Sequence, residues 1–257
     1  MDYDYHVHST YSDGSFLRWM VRGAERAGLD GVGVADHCTV SDRESMRRAR
    51  RDHGFNLDLT YERRREAIEG VREDTDLRVF DAVELDYDPR DEAAIRAFTE
   101  AAAFDYTIGS VHTVDDVNVQ VPSVFADMPD ERRQEFVDDY FDSLVSLVDS
   151  ELFEVAAHPD LVERNPELQG YATDAHYRRA AEAFTRSRTV PELNAGRVLR
   201  DYGEFHPAPP FLSVLREFDV PITLGSDAHR PDELPARHER IREYRAEAGL
   251  DLYELDV

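Results

Sequence analysis

The sequence predicts an α/β barrel one unit short of the eight-stranded form. Short β-type stretches alternate with longer amphipathic ones along the chain. Polar residues gather where the β-type stretches end. A length of 257 residues suits one such barrel, so a single domain over 1–257 is expected. The candidate strands are residues 3–8, 31–36, 78–86, 105–111, 153–158, 190–194 and 221–226. Amphipathic segments at 17–27, 91–103, 129–150, 174–188 and 209–218 separate them, and 232–248 follows the last. Alternation of this kind argues for parallel strands with helices outside. The arginine-rich stretch 39–75 reads as a solvated excursion with room for an extra helix.

The strand ends carry the chemistry. Strand one ends in His6-Val7-His8, with Asp13 in the following Ser-Asp-Gly turn. Strand two ends in Ala35-Asp36-His37, strand three carries Glu84, and strand four runs into His112. Strand five ends in His158-Pro159-Asp160, strand six carries Glu192 and Asn194, and strand seven leads into Asp227-Ala228-His229. Barrels collect function at the C-terminal ends of their strands, where successive loops converge. Six of the ten histidines lie at such ends. His53, His176 and His238 fall in helical or loop segments and read as ordinary polar residues. Cys38 reads as a small buried side chain, and Tyr3 and Tyr5 as packing outward against helices.

Composition narrows the class. The formal net charge is -25, and all 30 basic residues are arginine. Such a field disfavours nucleic acid phosphates. An acidic, lysine-free surface also resembles the proteins of salt-accumulating halophiles, whose high salt screens charge within a few ångströms. One cysteine excludes an internal disulfide framework and suits a reducing cytoplasm. No stretch is long and apolar enough to span a bilayer, no secretory leader is recognised, and no membrane partner is expected.

Residues i and i+2 of a strand project to one face, so His6 and His8 can reach one cation. Imidazoles mixed with carboxylates suit Zn, Mn or Fe(II) better than the oxygen-only sites of Ca or Mg. A carboxylate can bridge two ions, and Glu84 and Asp227 are the candidates. Clustered cations acidify a bound water and hold both ends of an in-line displacement, which points to phosphoryl chemistry.

Together the motifs "HVHSTYSDGS", "GVADH", Glu84, "GSVHT", "AAHPD" and "GSDAH" resemble the PHP superfamily of metal-dependent phosphoesterases. The resemblance runs from strand one to strand seven and implies a distorted (β/α)7 barrel with up to three divalent transition metals. It implies one metal on His6, His8, Glu84 and Asp227. A second shares Glu84 with His112 and His158, and a third takes Asp13, His37 and His229. A water or hydroxide between two metals is the implied nucleophile. The stretches "HPDLVERN", "PELNAGR" and "VPITLGSDAHRPDEL" are most similar to the histidinol-phosphate phosphatase branch. That similarity implies a small phosphorylated substrate, histidinol phosphate first, and a place in histidine biosynthesis. Arg197, Arg164 and Arg230 are the candidates for gripping phosphate, since a guanidinium fork matches its oxygens. His206-Pro207 stands where that branch has Tyr-Pro, which makes His206 a candidate substrate contact. Other phosphoesterase activities of the superfamily, on nucleotides or diesters, are the first alternative. A non-catalytic metal-binding module is the second.

Overall fold

In the computed structural model, which describes residues 2–257, seven parallel strands form one sheet in chain order. They are β1 Tyr3–Val7, β2 Gly31–Cys38, β3 Arg78–Asp86, β4 Tyr106–Ser110, β5 Val155–Ala156, β6 Val190–Asn194 and β7 Thr223–Gly225. The sheet curls back on itself. Val7 pairs with Ala228, and the Asp227 amide donates to the His6 carbonyl at 2.7 Å. The helices outside are α1 Leu17–Ala27, α2 Glu44–His53, α3 Tyr61–Arg72, α4 Glu92–Ala102, α5 Asp130–Asp149, α6 Asp174–Thr185, α7 Pro209–Glu217 and α8 Glu233–Ala248. This is the seven-stranded α/β barrel that the alternation predicts. Among the described residues no helix is long and apolar enough to cross a membrane.

Two strands are shorter than expected. β5 keeps two residues of 153–158, and β7 keeps three of 221–226. The residues just beyond them, His158 and Asp227, have φ of 28° and 53°. Side chains other than glycine rarely take such values, and a strand cannot continue through them. Both residues are predicted ligands, so the strand is cut short where the chain turns to aim them.

Packing sorts into an outer layer and a bore. Outside, Val7, Val32, Val34 and Val79 meet Leu17, Met20 and Val21 of α1, Ile68 and Val71 of α3, and Leu234 of α8. Burying each such side chain is worth about 1.5–3 kcal/mol relative to exposing it. The stretch 39–75 is therefore no mere excursion. Its second helix, α3, is the crossover that a parallel β2–β3 pair requires. The α3 residue Arg64 is wholly buried, and its guanidinium meets the Asp36 and Asp81 carboxylates at 3.0 and 2.6 Å. The many exposed arginines around it hid a narrow buried stripe of Arg64, Ile68 and Val71.

The second correction concerns Tyr3 and Tyr5. They do not face the helices; they fill the bore with Phe80, Ala82, Tyr106, Ile108 and Val190. Strict alternation would put Tyr3 and Tyr5 on one face and His6 and His8 on the other. The β1–β2 register shifts between Asp4 and Val7, and this bulge reverses the alternation. Both pairs thus point inward. Asp4 and Val7 face out, Asp4 towards the His238 imidazole of α8 at 2.9 Å. Gly33 completes the arrangement, because a Cβ there would overlap the Tyr106 hydroxyl, which donates to the Tyr5 carbonyl across the bore.

Candidate metal centre

Above the aromatic floor the bore turns polar. Glu84 on β3 is almost wholly buried at its centre. Its Oε2 lies 3.3 Å from His6 Nε2, 3.6 Å from His8 Nε2 and 2.7 Å from His37 Nδ1. Its Oε1 lies 3.1 Å from His158 Nε2 and 3.5 Å from His112 Nε2, and accepts from the Ser110 hydroxyl. Each oxygen of this one carboxylate fronts a different set of imidazoles, which is the arrangement a bridging ligand needs.

The ring nitrogens are aimed by carboxylates behind them. His6 Nδ1 meets the Glu192 carboxylate at 2.7 Å, which turns Nε2 towards His8 Nε2 at 3.1 Å. His112 Nδ1 donates to Asp86 at 2.6 Å. Metal-bound histidines are held in this manner. Glu192 also accepts from the His158 amide at 3.1 Å and from Asn194 Nδ2 at 2.9 Å. Its carboxylate reaches this position because residue 225 is glycine; a Cβ there would overlap it.

Asp227 Oδ1 lies 3.3 Å from His8 Nε2. Asp13, in the loop after β1, lies 3.2 Å from His229 Nε2 and 3.7 Å from His37 Nε2. The rings of His37 and His229 flank that of His8, with centroids 4.3 and 4.2 Å from it. The nine predicted donors thus form one continuous cluster. Three compact groups stand out within it: His6, His8 and Asp227; His37, Glu84 and His112; and His8, Asp13, His37 and His229. His8 stands beside the predicted third set as well as in the first, and His37 spans the second and third.

Charge balance is strained without a cation. Burial opposes ionisation of Glu84, yet His37 and His6 hold it well below the usual carboxylate range. Burial likewise opposes a proton on His37, and Glu84 overrides it, raising the imidazole to about 10. Burial and the neighbouring His229 and His37 push His8 down to about 4. Three imidazole nitrogens surround Glu84 Oε2, yet it accepts no hydrogen bond of good geometry, and the buried His158 Nδ1 also lacks a partner. Ligands bonded at about 2.0–2.2 Å to one tetrahedral cation stand a little over 3 Å apart. The mixed nitrogen and oxygen donors and their separations fit divalent transition metals.

A cavity of about 340 Å³ opens over these ligands. Arg164, Arg197, Arg200 and Arg237 also line it, with Gln120. Arg164 has no ion-pair partner among the described residues, and burial, helped by Arg197, lowers its pKa to about 10. Arg230 does not line the cavity; it is exposed and lies 3.6 Å from Glu233. His206 sits behind the wall. Its Nδ1 meets Asp160 at 2.6 Å, its ring stacks on Tyr202, and its backbone pairs with Asn194. Sequence reasoning missed Arg237 and Arg200 in the lining and gave no role to Asp86, which holds His112, or to Asp160, which holds His206. The i, i+4 spacing of Glu233 and Arg237 in α8 was the available signal, and their side chains meet at 3.2 Å.

The PHP domain family model matches residues 4–196. The chain belongs to the PHP domain family. Asp227 and His229 lie beyond the match, but the fold returns them to the same PHP centre. A "Probable histidinol-phosphatase" of Deinococcus radiodurans is 26% identical over 168 residues, 65% of this chain. The alignment spans 64% of that relative's length. The crystal structure of histidinol phosphate phosphatase from Lactococcus lactis, complexed with Zn, L-histidinol and phosphate, superposes with TM-score 0.74 at 20% identity. The match covers 98% of this chain and 95% of that one. A Listeria monocytogenes crystal structure gives the same TM-score at 15% identity, over 90% and 97% of the two chains. At these identities the two structures establish the shared PHP barrel.

Proposed function

We propose that this protein is a metal-dependent phosphatase acting on a small phosphomonoester, with histidinol phosphate, an intermediate of histidine biosynthesis, as the first substrate. The observation that carries this is the Glu84 carboxylate, whose two oxygens face separate imidazole groups beneath an arginine-walled cavity. Up to three divalent ions, Zn, Mn or Fe, would be held by His6, His8, Glu84 and Asp227; by Glu84, His112 and His158; and by Asp13, His37 and His229. When bound, such ions draw charge from phosphoryl oxygens and acidify water. The protein's own groups do the rest. Glu192 and Asp86 orient His6 and His112, and Arg164 and Arg197 receive the phosphate oxygens bidentately. The likeness to the Deinococcus and Lactococcus proteins supports histidinol phosphate. The reading extends to one cytoplasmic domain over 1–257.

The test strips the protein with chelator, restores Zn, Mn or Fe separately, and assays histidinol phosphate beside nucleotides and phosphodiesters. Preferred release of phosphate from histidinol phosphate is expected. Preference for a diester, or no hydrolysis with any of the three metals, would overturn the reading.

A further inference from the structure

The turn that follows β7 carries two of the predicted ligands, Asp227 and His229, and it is strained. Asp227 holds φ at 53°, a value that persists outside glycine only where the surroundings impose it. Two side chains of α8 take up the turn's backbone groups. Arg237 Nη1 donates to the Ser226 carbonyl at 2.8 Å and to the Asp227 carbonyl at 2.7 Å. Glu233 Oε2 accepts from the His229 amide at 2.9 Å and from the Arg230 amide at 3.1 Å. Glu233 and Arg237 lie one helical turn apart and meet each other at 3.2 Å.

These bonds account for where both ligand side chains point. The Asp227 carbonyl also meets His229 Nδ1 at 2.9 Å, which turns Nε2 of that ring towards Asp13 at 3.2 Å. On its other side Asp227 is fixed by its amide, which donates to the His6 carbonyl at 2.7 Å. Gripped at both ends, it presents its carboxylate to His8 Nε2 at 3.3 Å. Arg237 lines the cavity, yet its guanidinium has little left for a phosphate. The residue is only 4% exposed, Nη1 is spent on two carbonyls, Nη2 faces Glu233, and Nε is buried without a partner among the described residues. A planar fork can hold two successive carbonyls and a carboxylate at once, which a lysine ammonium cannot match.

We propose that Arg237 and Glu233 are positioning residues, which together hold the Asp227–His229 turn in the strained form that aims both side chains at a cation. They touch neither the cation nor the phosphate. Glutamine in place of Glu233 keeps an oxygen for the two amides, whereas alanine releases them. The assignment rests on the reading of Asp227 and His229 as metal ligands.

The test reads metal uptake rather than activity alone. Chelator-stripped full-length protein is titrated calorimetrically with Zn, Mn and Fe(II) in turn, and the ion that the wild type takes up best is then counted per chain in each variant. Glu233→Ala and Arg237→Met are expected to lose at least one ion per chain or to bind it about 10–100-fold more weakly, and Glu233→Gln to lose less than Glu233→Ala. Leu234→Ala is the control. It lies on the same helix but packs against α1, so it should lower Tm by leaving a cavity while metal uptake stays at the wild-type level. Should Arg237→Met fail to fold, Glu233→Ala decides, since Glu233 is partly exposed. Wild-type uptake in the folded Glu233→Ala and Arg237→Met variants, with only Tm lowered as in Leu234→Ala, overturns the assignment. Full uptake with a raised KM in Arg237→Met also overturns it, making Arg237 a phosphate contact instead. A wild type that takes up none of the three ions defeats the metal reading and this assignment with it.

Discussion

In the lower half of the bore, Tyr5 packs against Phe80 and Tyr106 with centroids 5.9 and 5.7 Å apart. A few residues further along the same strands, His6, His8, Glu84 and Ser110 face the same interior, equally buried. The lower half is stable as it stands, because its rings need only one another and the Tyr106 hydroxyl finds a carbonyl. The upper half crowds carboxylates and imidazoles that protons alone satisfy poorly. Burial therefore stabilises one half outright, whereas the other depends on what it binds. One strand set supplies both because the β1 bulge lets tyrosines and histidines share the interior.

The largest effect belongs to the upper half. Glu84→Gln should lower turnover by more than about a thousandfold and remove at least one metal, since a neutral amide cannot offset two cations. Rate and metal content are measured together on the folded variant. Full metal content with more than about a tenth of the activity would match a merely orienting role and sink the bridge.

Phe80→Ala probes the lower half. It should cost about 3–5 kcal/mol in urea unfolding while metal content and turnover of the folded protein hold. Loss of metal at unchanged stability would break the division between the halves. Glu192→Gln comes next. It touches His6 and the His158 amide without being a predicted ligand, so about a 10–100-fold fall in activity at full metal content is expected.

A pH series sharpens the contrast further. His37 is raised from its usual 6.5 to about 10 in metal-free protein. Its stabilising contribution is complete below 6.5 and is lost as pH climbs towards 10. The Tm of chelated protein should fall across that window. Zinc-loaded protein should fall less, because a ligating imidazole must be deprotonated. Parallel slopes with and without zinc would show that the upper half does not govern this loss. The smallest effect concerns the surface. With net charge -25, Tm should rise by a few degrees between about 0.1 M and about 3 M KCl. A higher Tm in dilute buffer would remove the case for salt adaptation.

Much of this architecture was legible before folding. Period-two and helical patterns are local, and the histidines at the strand ends follow from them. Arg64 was not legible, because in an arginine-rich helix only the packed stripe distinguishes a buried guanidinium from solvated ones. Nor were the roles of Asp86 and Asp160. Each acts on a histidine from another segment, His112 and His206, at a contact distance that no spacing encodes.

Local order along the chain thus set the strand count, the parallel topology and the roster of donors, since these depend on propensity and periodicity within a few residues. The direction of Tyr3 and Tyr5, the facing of the two Glu84 oxygens, and the choice of Arg237 over Arg230 for the cavity wall were settled only by packing. A bulge, a ring crossing the bore above Gly33 and the turn of a helix each depend on distant partners. Such partners become neighbours only when the barrel closes, as when Ala228 pairs with Val7.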